Sequence, residues 1–131
     1  GDFARCVVDH GSDMISLINT ITALAIDLET RRPRLANITG GYSGPGIKPI
    51  ALRMVYEARR AVSVPIIGMG GIRDATDALE FMVAGANAVA VGTAIFSNPL
   101  CLLEIPAGIS AWLDQHGYSS VSEIVDTLIT G

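Results

Sequence analysis

The chemistry that stands out in this chain belongs to its backbone more than to acids or bases. Between Val64 and Phe96 the sequence reads VPIIGMGGIRDATDALEFMVAGANAVAVGTAIF. Two apolar runs, Val64–Ile67 and Ala88–Val91, each lead into a glycine turn, Gly68-Met69-Gly70-Gly71 and Gly92-Thr93. Gly70, Gly71 and Gly92 have no side chain, so their N–H groups can approach an anion closely, and Thr93 adds a hydroxyl. That is the chemistry of a phosphate site; the alternative is that these glycines only make tight turns. Asn19 and Thr20 close an earlier apolar run, Met14–Ile18. They read equally as substrate contacts at a strand's carboxyl end or as strand-end caps. A third glycine-rich stretch, Gly40–Gly46, holds four glycines in seven residues and reads as a mobile or closely approached loop.

These residues need elements to hold them. A helical pattern runs from Asp74, with Asp77 three positions on, to Ala84, and stops at Gly85. Its expected buried stripe is Leu79, Met82 and Val83. Strand, glycine turn, helix, strand, glycine turn is a βαβ unit with parallel strands. Upstream, Phe3, Cys6, Val7 and His10 recur at helical spacing before Gly11. Pro49 opens a helix with Ala51, Val55, Ala58 and Val62 on one face and Arg53 and Glu57 four apart on the other. Ala25–Leu28 and Arg34–Asn37 flank a turn and read as a small inserted hairpin. Ile109, Trp112, Leu113 and His116 share a helical face ended by Gly117. Ser120 and Glu123 form a capping-box pattern for a last helix carrying Val121, Ile124, Val125 and Leu128.

The whole chain, residues 1–131, reads as one α/β unit of about three βα repeats with no linker. Three parallel strands cannot close a barrel, which takes eight strands and typically ~250 residues. At 50% hydrophobic residues and mean hydropathy +0.45, the chain suits a piece whose open face another part covers. We therefore expect the carboxyl-terminal half of a TIM (β/α)8 barrel, with exposed apolar faces that favour self-association. No apolar run approaches the ~20 residues of a membrane span, and no signal-peptide pattern is evident. A net charge of −4 argues against a nucleic-acid partner. Cys6 and Cys101 stand far apart, with no metal-ligand spacing, and read as free thiols of a cytoplasmic protein.

At SLINT (16–20), LANITGGYSGPGIKPIALRMVYEARRAV (35–62), VPIIGMGGI and AVAVGTAIF, the sequence resembles the carboxyl-terminal half of class 1 dihydroorotate dehydrogenases, closest to the 1B type. The resemblance covers nearly the whole chain and is most specific in ANITGG-x-SGP-x-IKP. It implies an FMN enzyme that oxidises dihydroorotate to orotate in pyrimidine biosynthesis. It implies FMN contacts from Ile18, Gly44, Gly70, Gly71, Gly92 and Thr93, the last four around the phosphate. It implies pyrimidine binding by Asn19 and Thr20, and an iron–sulfur, FAD-carrying partner subunit that passes electrons to NAD. The family's base is a cysteine from the amino-terminal half, and a lysine from that half lies near the flavin ring. Cys6, Cys101 and Lys48 stand in other contexts, so no catalytic residue and no metal ligand is expected in this chain. Ile95 replaces the family's usual Asn. FMN-dependent 2-hydroxy-acid oxidases and IMP dehydrogenases share the glycine turns but not the ANITGG run. A non-catalytic half-barrel that binds phosphate is a further reading.

Overall fold

A computed structural model describes residues 1–131. Helix α1 (Asp2–Asp9) leads into strand β1 (Ile15–Leu17). An excursion of four short strands follows: β2 (Ile21–Leu24), β3 (Ile26–Asp27), β4 (Arg32–Pro33) and β5 (Thr39–Tyr42). Then come a 3₁₀ turn at Pro45–Ile47, helix α2 (Lys48–Arg59), strand β6 (Ile66–Met69), helix α3 (Ala75–Val83) and strand β7 (Ala88–Ala90). Helices α4 (Ala94–Ser97) and α5 (Cys101–His116) and a 3₁₀ turn at Val121–Glu123 complete the order.

Strands β1, β6 and β7 form a three-stranded parallel sheet in the order β1-β6-β7. Leu17 lies opposite Gly68, and Gly68 opposite Val89, so the three carboxyl ends finish level. One face of the sheet is covered. Ile66 and Phe81 are fully buried there with Val55 and Ala51 of α2 and Ala78 of α3. Gly68 leaves room for the Phe81 ring, since a Cβ at that position would stand 2.6 Å from its Cδ1. The opposite face carries Ser16, Ile67 and Ala88 in register, and no helix covers it. Sheets of parallel strands normally bury both faces. An arc of three strands with helices on one side is the geometry of a partial (β/α) barrel.

The strands begin and end up to two residues away from the apolar runs that predict them. β6 runs on through Gly68 and Met69, because its hydrogen bonds to β7 reach Ala90. The inserted hairpin is present but paired differently. Its main ladder is β2 with β5, from Ile21 opposite Tyr42 to Leu24 opposite Thr39, and β3 with β4 forms the tip. Gly40 and Gly41 thus lie in a strand. They leave space for the side chains of Leu35 and Thr20, as Gly46 does for the Tyr42 ring.

The last helix does not form. Its cap does: Ser122 N donates to Ser120 Oγ at 3.2 Å, and Ser119 N donates to Glu123 Oε1 at 2.9 Å. After one turn the backbone turns left-handed at Asp126, whose N–H donates to Met82 O at 3.1 Å. Burial of Ile124 against the core outweighs the weak helix propensity of a β-branched sequence. In α3 the buried side chains are Asp77, Ala78, Leu79, Phe81 and Met82, with Val83 only half-buried.

Candidate functional site

The level carboxyl ends of the sheet open into a cavity of about 770 Å³. Four turns build it, and each continues an element fixed by core packing. After β1, Ile18 donates its N–H to Met69 O at 2.9 Å, which ties the end of β1 to the end of β6. Asn19 and Thr20 follow on the cavity wall. After the hairpin, Ser43 and Gly44 reach the wall at the start of α2. After β6 come Gly70 and Gly71, and after β7 come Gly92 and Thr93. Thr93 Oγ1 donates to Ser43 Oγ at 2.8 Å and closes the ring of turns. Helix α4 begins at Ala94, directly after that turn. Ile18, Asn19, Thr20, Gly44, Gly70, Gly71, Gly92 and Thr93 therefore all line one cavity.

The glycines do different jobs. Gly71 has φ +81°, and a Cβ there would stand 2.8 Å from Gly44 O and 3.0 Å from Lys48 N. It lets the β6 turn lie against the start of α2. Gly92 is the reverse case, since a Cβ there meets no protein atom within 4 Å. The room beside it belongs to the cavity. This open cradle, with hydroxyls from Thr93, Ser43 and Ser97 on the same wall, fits a phosphate group.

Asn19 is already oriented. Its Oδ1 accepts from Thr20 N at 2.7 Å and lies 3.4 Å from Thr20 Oγ1. The amide oxygen is thus engaged, while the Nδ2 donors have no protein partner. Ile95 does not line the cavity and packs against the core, where an Asn side chain would have less to gain. His10 and His116 serve helix ends, each donating Nδ1–H to the carbonyl four residues back, and His116 also stacks on Trp112 at 4.0 Å. Cys101 is buried, Cys6 is exposed on α1, and neither lines the cavity.

One charged cluster behind the wall was not foreseen. Asp77 is buried, and Lys48 Nζ donates to its Oδ1 at 2.5 Å. Arg73 N donates to Oδ2 at 2.9 Å and Arg73 Nε at 3.2 Å, while Asp77 N caps on Asp74 Oδ1 at 2.9 Å. Lys48 Nζ also meets Glu80 Oε2 at 2.7 Å. The cluster pins the start of α2 and the turn after β6 to α3. The sequence signal was the sole lysine, in the IKP stretch, together with an acid in the first turn of α3.

Burial alone would raise the Asp77 pKa, but the hydrogen bonds from Lys48 and Arg73 outweigh it and hold the carboxyl below its ordinary value. The bonds to Asp77 and Glu80 raise that of Lys48. The folded state therefore holds the Asp77 proton less tightly than the unfolded chain does. Its stabilisation is present above the ordinary carboxylate pKa of ~3.9 and is lost as pH falls through the depressed folded value. Denaturant unfolding below pH ~4 should show a steep loss of stability. Asp77→Asn should be less stable at neutral pH and show a shallower acid limb; an unchanged limb would remove Asp77 from this role.

Strands of parallel sense, a glycine-lined cavity at their carboxyl ends and a short helix beginning beside it define a partial α/β barrel with its cavity where such barrels place their sites. Residues 2–113 match the dihydroorotate dehydrogenase family, and the chain belongs to that family. It is 58% identical over 125 residues to the dihydroorotate dehydrogenase B (NAD(+)) catalytic subunit of Pelobacter propionicus, covering 95% of this chain and 41% of that one. It is 56% identical over 129 residues to the subunit of the same name from Geotalea uraniireducens, covering 98% of this chain and 42% of that one. The chain thus spans about two fifths of the length of the curated relatives it matches. Among solved structures, that of DHODH from Eimeria tenella in complex with ferulenol superposes with a TM-score of 0.79 at 27% identity, covering 96% of this chain and 34% of that one.

Proposed function

We propose that this chain supplies the FMN-phosphate site and part of the pyrimidine site for oxidation of (S)-dihydroorotate to orotate in pyrimidine biosynthesis. The observation that carries the reading is the convergence of four turns on one cavity whose wall is open at Gly92. In this reading Gly70, Gly71, Gly92 and Thr93 surround the phosphate of FMN. Gly44 and Ile18 lie along the cofactor, and Asn19 and Thr20 meet the pyrimidine. Bound there, FMN would supply the hydride acceptor. The chain's own part is to hold and orient. The free Nδ2 donors of Asn19 suit a ring carbonyl or the carboxylate of the substrate. Thr20 keeps that amide turned by engaging its oxygen. No histidine, cysteine, lysine or carboxylate lines the cavity, so the proton taken from carbon goes to a base on another segment or chain.

The relatives are named catalytic subunits of an NAD(+) enzyme, which supports a partner subunit; the resemblance makes that partner an iron–sulfur, FAD-carrying subunit that passes electrons to NAD. The uncovered sheet face supports a homo-oligomer. No helix is long and apolar enough to cross a membrane, in keeping with a cytoplasmic enzyme. Asn19→Ala tests the substrate half of the reading. In an active complex of this chain with the remainder of a type B catalytic subunit, it should raise KM for dihydroorotate about tenfold, the worth of a hydrogen bond to a charged or strongly polar group. Bound flavin should be unchanged in visible absorption. Lost flavin with an unaltered KM would make Asn19 a strand-end cap.

A further inference from the structure

Arg73 is the one residue with a formal charge on the wall of the cavity. It lies two positions after Gly71, on the turn that lines the proposed anion site. Its backbone N–H and its Nε both donate to the same oxygen of Asp77, at 2.9 and 3.2 Å. That leaves both terminal nitrogens of the guanidinium without a protein partner on a side chain that is 54% exposed. A bidentate arginine–carboxylate pair uses two guanidinium nitrogens, end-on or side-on, in parallel bonds. Here one edge nitrogen anchors the group and the fork is left over.

The charges behind Arg73 make this arrangement useful. Lys48 donates to the other oxygen of Asp77, and Glu80 in turn meets Lys48. Asp77 and Glu80 do not line the cavity, so an anion there meets the positive side of the cluster first. We infer that Arg73 makes the charged contact to the phosphate, held in place by Asp77 through Nε while Lys48 offsets the charge of Asp77. The inference rests on the proposed phosphate site. It adds a specificity element: glycine amides attract any anion, whereas a guanidinium fork favours a tetrahedral dianion and separates FMN from riboflavin.

The test is a titration, with FMN and with riboflavin at low salt, of the flavin-free complex of this chain with the remainder of a type B catalytic subunit, followed through the amide resonances of Gly71 and Gly92, which register even weak binding. The wild-type complex should bind FMN more tightly than riboflavin, and added salt should narrow the difference. Arg73→Met keeps the aliphatic stem and removes the charge. It should cut the preference for FMN about tenfold while leaving riboflavin affinity unchanged. Arg73→Lys should recover part of the preference. A wild-type preference that survives in Arg73→Met overturns the role of Arg73 and leaves the phosphate site standing. Equal losses for both flavins would make Arg73 a structural anchor and overturn the inference as well. A wild-type complex that does not distinguish the two flavins, or whose amides respond to neither, overturns the phosphate site and the inference together.

Discussion

Valine at position 71 should abolish flavin binding and destabilise the fold in one step. Gly71 sits at φ +81°, a conformation that a β-branched residue adopts only under strain. Strain of that kind costs ~1–3 kcal/mol. Its Cβ would also stand 2.8 Å from Gly44 O and 2.9 Å from Lys48 Cβ, inside contact distance, so the turn after β6 must part from α2. Parting them also strains the Lys48–Asp77 bond, which adds to the loss although Arg73 still donates to Asp77. Gly92→Ala is the control. Nothing in the protein lies within 4 Å of the added methyl, so stability should stay within ~0.5 kcal/mol of wild type. The methyl would occupy cavity space, and FMN affinity should fall while folding does not. Denaturant unfolding and flavin titration on both variants separate the two effects. A Gly71→Val chain as stable as wild type would show that the turns do not touch; a Gly92→Ala chain with full FMN affinity would place the phosphate elsewhere.

That contrast shows what a sequence reading of glycines can and cannot deliver. The two turns at the ends of β6 and β7 were legible because an apolar run, a glycine turn and a capped helix recur in phase. The parallel sheet followed from the same pattern, and so did the open face, because three strands are too few to close. What each glycine makes room for was not legible. Gly71 yields to a neighbouring backbone, Gly41 to Thr20 and Gly92 to the cavity, and these are contacts between segments far apart in the chain. The Lys48–Asp77 pair, 29 residues apart, was hidden for the same reason. Asp77 reads locally as a first-turn acid of α3, and only the fold brings Lys48 to it. The last segment failed in the opposite direction. The capping pattern of Ser120 and Glu123 was real, but one long-range bond from Asp126 to Met82 and the burial of Ile124 ended the helix after a turn.

The 131-residue chain by itself should not turn over dihydroorotate, and it should self-associate. The first expectation comes from the wall of the cavity, where the one ionisable side chain is Arg73, which cannot accept a proton at working pH. A positioned base typically contributes ~10²–10⁴-fold, so its absence alone removes most of the rate. An open cavity loses more, since water is not excluded from the reacting centre. The second expectation comes from surface area. The chain exposes 8444 Å², whereas a compact monomer of 13.7 kDa exposes about 6,600 Å². The excess, about 1,800 Å² on that scaling, is the size of a whole protein–protein interface. Much of it is apolar: Phe3 is 82% exposed, Phe96 92% and Leu103 73%. The outer edges of β1 and β7 carry unpaired backbone groups as well. One remedy should cure both defects. Co-expression with the remainder of a type B catalytic subunit should give a monodisperse, yellow complex that reduces a dye with dihydroorotate. Sedimentation and a dye-reduction assay on the chain with and without that remainder decide the matter. A chain that sediments as a monomer and oxidises dihydroorotate unaided would require a base and a wall that its structure does not contain.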